Sequence, residues 1–170
     1  MMKRFWLTLM TSTLVALMAA AQVARIHIDD FEMTPGDKIT VPVMFSNTEE
    51  SKGLQFYLTL PQGLKMTRAK LTDYSDDLEM QLTNSRLKID NSYAVIMYTM
   101  KQKGFPPDSA AIVNLSFKAD KSFAGGEIII WNAVGATTGN KSIAIGNDTV
   151  TVRCKPETLM TQPAGEPFFN

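Results

Sequence analysis

The chain has one cysteine and one histidine in 170 residues. With Cys154 alone, no disulfide closes within the chain, and the fold must rest on its core. With His27 alone, a nucleophilic triad has a single imidazole to draw on, and neither a nucleophile elbow nor an oxyanion-type glycine motif accompanies it. His27 sits in a short alternating run just before Asp29 and Asp30, and reads as an outward polar residue. Charge excess is missing too: 17 basic residues face 17 acidic ones. A chain so balanced is not built as a whole to bind nucleic acid or anionic lipid. There is no amphipathic helix of useful length, no internal repeat and no low-complexity segment. Residues with catalytic logic are nearly absent, so the chain reads as non-enzymatic, with no cofactor and no metal.

A long hydrophobic run is also missing. The apolar stretch Phe5–Met18 is interrupted by threonines and is short for a membrane span. Lys3 and Arg4 precede it, and Ala19-Ala20-Ala21 follows with small residues suited to cleavage. That layout is a secretory leader over 1–21, which implies export to the periplasm or outside the cell without stable membrane insertion. Removing Lys3 and Arg4 leaves 15 basic against 17 acidic residues, a net charge of −2. The 149 residues that remain after a 21-residue leader are enough to bury a core without staples, about 68–70% of the unfolded surface. The domain is expected over 22–153, with a loose tail over 154–170 marked by Pro156, Pro163, Gly165 and Pro167.

What the chain has in quantity is period-two alternation. In Lys38–Ser46, Ile39, Val41, Val43 and Phe45 share one face; in Gly53–Leu60, Leu54, Phe56, Leu58 and Leu60 share one, with Gln55, Tyr57 and Thr59 opposite. Pro42 cannot donate to a ladder, so an edge or a bulge is expected there. Further extended runs are read at Ala24–Ile28, Leu64–Leu71, Tyr93–Met100, Ala111–Ala119 and Glu127–Val134. Two short strands, Met80–Thr83 and Arg86–Ile89, are expected around a turn at Asn84-Ser85. A closing hairpin is expected from Ser142–Ile145 and Thr149–Arg153. Asp73–Glu79 reads as a solvated acidic loop; it lacks the glycine and bidentate pattern of a calcium loop. About nine or ten short strands separated by turn residues predict an all-β chain, a two-sheet antiparallel sandwich or jelly roll.

The segment Gly36-Asp37-Lys38-Ile39-Thr40-Val41-Pro42-Val43, a polar loop, and then Lys52-Gly53-Leu54-Gln55-Phe56-Tyr57-Leu58-Thr59-Leu60-Pro61 resembles the opening of a cohesin domain. Val113-Asn114-Leu115-Ser116-Phe117-Lys118-Ala119, Gly125-Gly126-Glu127-Ile128 and Gly146-Asn147-Asp148-Thr149-Val150-Thr151-Val152 are similar to later strands of that family. The resemblance spans most of residues 24–153. It implies a nine-stranded jelly-roll sandwich and a non-catalytic role in assembling proteins, as cohesins do when they bind dockerins around polysaccharide-degrading enzymes.

Tyr57, Tyr93 and Tyr98 are the candidate binding surface. Tyr57 lies opposite the apolar face of its strand, and aromatic rings suit either a protein partner or sugar rings. Trp131 shares parity with Ile129 and is read as core. The expected partner is a protein or a polysaccharide at the cell surface. Alternatives are a carbohydrate-binding module of the same fold and a structural subunit of a surface assembly.

Overall fold

Alternating apolar residues along brief extended segments close two sheets onto each other. The computed structural model describes residues 24–139 and 141–156. Its strands are β1 (Arg25–His27), β2 (Phe31–Met33), β3 (Lys38–Ser46), β4 (Ser51–Thr59), β5 (Leu64–Leu71), β6 (Gln81–Arg86), β7 (Ser92–Tyr98), β8 (Ser109–Ala119), β9 (Gly126–Thr137), β10 (Ser142–Ala144) and β11 (Asp148–Cys154); one short helix, α1, spans Asp73–Asp77. The smaller sheet runs β1-β3-β8-β5. The larger runs β2-β11-β9-β4-β7-β6, with β10 also paired to β9.

The core between the sheets is built from the predicted inward faces. Val41, Val43 and Phe45 of β3 are buried, as are Leu54, Phe56 and Leu58 of β4, Leu115 and Phe117 of β8, and Ile128 and Ile130 of β9. Each large side chain so buried contributes about 1.5–3 kcal/mol of transfer free energy. Phe31 stacks on Phe117 at 5.9 Å, and Phe45 meets Phe105 edge-on at 5.8 Å. Pro42 pairs with Asn114 on β8, while β1 covers only Met44–Ser46. The ring therefore sits where one side of β3 has no partner, and a register shift follows at Val43/Met44.

Several expectations change. The described strands number eleven against an expected nine or ten; β1, β2 and β10 are three-residue pieces, and of these β2 was not expected. One pairing is parallel, β11 with β2. Asn84-Ser85 is no turn: β6 runs unbroken through both, and its six residues all pair with β7. The acidic stretch begins as a helical turn. Thr72 caps it, accepting the Ser75 amide on Oγ1 at 3.4 Å, and Asp73 and Asp76 stand at its positive end. The closing hairpin does not form. β10 folds back onto residues Val134–Ala136 of β9, and β11 takes the Gly126–Ile130 part of the same edge. The twelve residues of β9 are long enough to serve both, so each finds a partner there rather than in the other. β11 runs through Cys154, whose thiol donates to the Phe123 carbonyl at 3.3 Å; the expected tail beyond residue 156, like the leader, lies outside the described residues.

Candidate docking face

β9, β4 and β7 are adjacent in the larger sheet, and their outward side chains form one surface. Ala94, Ile96 and Tyr98 of β7 stand opposite Tyr57, Gln55 and Gly53 of β4. On the other side of β4, Thr59, Tyr57, Gln55 and Gly53 face Ile129, Trp131, Val134 and Ala136 of β9. The inward face needs apolar side chains at every second position of all three strands, so whatever the outward positions carry is displayed together.

Near the centre, Tyr57 stacks on Trp131, with ring centroids 4.7 Å apart and planes 24° from parallel. Both rings are fixed by hydrogen bonds. The Trp131 indole N–H donates to Thr59 Oγ1 at 3.0 Å, and Gln55 Nε2 donates to the Tyr57 hydroxyl at 3.0 Å. Thr59 in turn shares a 2.8 Å hydroxyl contact with Ser92. The aromatic pair is thus held in one geometry, with little rotamer freedom left to lose.

Beside the pair lies a shallow, open groove of about 320 Å³ between Tyr98 and Ile96 on one wall and Val134 and Ala136 on the other. Its floor is Gly53, and Lys141 and Ser142 stand at its mouth. Tyr98 and Ile129 are each 44% exposed, large apolar groups at opposite ends of the surface. Met100 is exposed just beyond β7. The composition is that of an interface core: aromatic and aliphatic around the groove, with charge at the rim, Lys141 at its mouth and Glu127 beyond Ile129 on β9.

A bulge in β9 assembles this face. Between the pairs Gln55↔Val134 and Tyr57↔Trp131, β4 advances two residues and β9 three. Asn132 absorbs the extra residue with φ 49°, a left-handed conformation that Asn tolerates better than most. Parity therefore switches: Ile129 and Trp131 face out before the bulge, Val134 and Ala136 after it. Trp131, expected in the core because Ile129 shares its face, is instead a half-buried surface residue, and Ile129 itself is exposed.

Of the three tyrosines singled out, Tyr57 and Tyr98 lie on this face. Tyr93 does not. It stands opposite Leu58 on β7 and is 7% exposed, part of the core. Tyr93–Met100 is apolar on both parities because one parity fills the core and the other, Ile96 and Tyr98, lines the groove. Trp131, Gly53 and Ile96 are face residues that the sequence reading did not single out, and Val134 and Ala136 join them only because of the bulge.

Elsewhere the chemistry is sparse. His27 is held between two carboxylates, Nδ1 at 2.7 Å from Asp148 and Nε2 at 3.0 Å from Asp29. Neither nitrogen is left to take a proton from a nucleophile. Among the described residues no three His, Cys, Asp or Glu side chains gather as a metal-holding group, and no helix is long and apolar enough to cross a membrane.

No family model matches the chain, and no curated protein matches it by sequence. Solved structures do match. The sixth cohesin of scaffoldin B from Acetivibrio cellulolyticus, solved with a Cel5 dockerin, superposes with a TM-score of 0.63 at 15% identity, covering 78% of this chain and 99% of its own. The cohesin module of a family 33 glycoside hydrolase from Clostridium perfringens gives 0.65 at 9% identity, covering 79% and 97%. A non-cellulosomal cohesin from the archaeon Archaeoglobus fulgidus gives 0.58 at 14% identity, covering 76% and 91%. The chain has the cohesin-like β-sandwich fold.

Proposed function

We propose that the chain is a non-catalytic, exported docking module that receives a protein partner on the outward face of β9, β4 and β7. The observation that carries this is the Tyr57–Trp131 pair locked beside the Gly53 groove, between exposed Tyr98 and Ile129. Rigid aromatic anchors around a small pocket are the usual source of binding energy at protein interfaces. The Acetivibrio cohesin of the same fold was solved with a dockerin, which makes a compact helical module of that kind the first partner to try.

A carbohydrate-binding module is the second reading, because an aromatic pair on a flat sheet suits sugars. The stacking geometry disfavours it. Tyr57 and Trp131 spend ring faces on each other instead of presenting two coplanar faces to a glycan.

The test is capture of a panel of dockerin modules, and of exported proteins from the same source, on the immobilised protein. Gly53→Val plugs the groove without strain, since a Cβ at Gly53 meets its neighbours only at 3.6–3.9 Å. Gly53→Val and Tyr57→Ala are each expected to weaken capture at least tenfold with little change in the melting temperature. Undiminished capture by both variants overturns the assignment of the face.

A further inference from the structure

The smaller sheet turns a second face to solvent, and its charge is one-sided. β3, β5 and β8 carry Lys38, Lys65, Arg68, Lys70 and Lys118, and no Asp or Glu at any position. All five cations are exposed. Lys38 pairs directly with Lys118, and Lys118 with Lys65, so three lysines stand in a row across three adjacent strands, about 4.8 Å apart strand to strand. The next row is Thr40, Ser116 and Arg68, and the one after it Pro42, Asn114 and Lys70. Among the described residues only Lys65 of the five has a carboxylate partner, Asp120 at 2.9 Å.

Like charges directly opposite each other destabilise a sheet. A chain with no overall charge excess has placed five cations on three neighbouring strands without a carboxylate among them. A bound polyanion removes that repulsion and draws on the focused positive field.

We propose that this face binds an acidic polysaccharide, a glycan chain bearing carboxylate or sulfate groups. The residues between the cations favour a glycan over the other polyanions. Thr40 and Ser116 hydroxyls, 2.8 Å apart, and the Asn114 amide offer donors and acceptors for sugar hydroxyls. The aromatic residues of these strands, Phe45 and Phe117, are buried, so nucleic-acid bases find nothing to stack on. Pro42, Met44 and Ala111 are the apolar residues on the outward side, too little to enter a bilayer. The site lies on the opposite side of the sandwich from the Tyr57–Trp131 face, so it stands or falls independently of the docking reading, and both can be occupied at once.

Affinity gel electrophoresis of the purified protein tests it, with polygalacturonate (carboxylate), heparin (sulfate) and hydroxyethylcellulose (neutral) in separate gels. Retardation is expected in at least one acidic gel and not in the neutral one, declining as salt is added. Combined Lys38→Gln, Arg68→Gln and Lys118→Gln is expected to weaken retardation at least tenfold without lowering the melting temperature. Lys70→Glu alone is expected to weaken it severalfold, and Tyr57→Ala to leave it unchanged. No retardation by either acidic polysaccharide overturns the proposal. So does equal retardation by the neutral one, full binding by the triple variant, or tighter binding to single-stranded DNA or phosphatidylglycerol vesicles than to either acidic polysaccharide.

Discussion

Phe56 and Tyr57 are neighbours with opposite duties. Phe56 is fully buried between the sheets, and Phe56→Ala is expected to destabilise the fold by about 3–5 kcal/mol in denaturant unfolding. Tyr57 faces outward, and Tyr57→Ala forfeits chiefly the Trp131 stack, about 0.5–1.5 kcal/mol, while removing the proposed docking anchor. Tyr74 gives a separate residue-scale test. Burial against Phe105, and then the Asp108 carboxylate, raise its phenol above the ordinary tyrosine value. A group whose folded pKa is raised stabilises the fold below its unfolded pKa, about 10 for tyrosine, and that contribution is lost as pH rises through the folded value. Phenolate absorbance is expected to show a late-titrating tyrosine in the wild type, absent in Tyr74→Phe, and the variant is expected to lose less stability in alkali. The alternation that sorts Phe56 from Tyr57 is plain in the sequence. The burial of Tyr93 was not, because every position of its run is apolar enough to belong on either side.

At the scale of the element, β9 decides the site. Its inward and outward sets exchange at Asn132, and no periodicity computed through residues 129–136 reports an exchange that depends on one left-handed residue. The signal available in the sequence was the Asn itself, a residue that tolerates positive φ, inside a strand otherwise rich in Ile and Val. Asn132→Gly is expected to keep the fold and the docking face. Asn132→Val is expected to cost about 1–2 kcal/mol, because a β-branched side chain resists that conformation. Deleting Asn132 is expected to turn Val134 and Ala136 inward and abolish capture along with much of the thermal stability. The hairpin expected of β10 and β11 failed for a related reason: turn residues at Gly146-Asn147 announce a change of direction but not which edge the chain then joins.

At the scale of the whole molecule, the two sheets present opposite surfaces, one centred on an aromatic pair, the other cationic. Overall charge hid the second, since the acidic residues that cancel those five cations lie outside the three strands that carry them. Strand pairing, which composition cannot supply, sets Lys118 between Lys38 and Lys65. Relieving that row by Lys118→Gln is expected to stabilise the fold by about 0.2–1 kcal/mol in thermal unfolding, with the gain shrinking in high salt. The sandwich itself was legible because its core obeys period two; the functional faces were less so, because outward residues answer to partners rather than to the fold. Amide hydrogen exchange of the protein with and without a captured partner tests the docking face most directly. Protection confined to β9, β4 and β7 is the expected result; protection on β3, β8 and β5, with the Tyr57 strand unchanged, contradicts it.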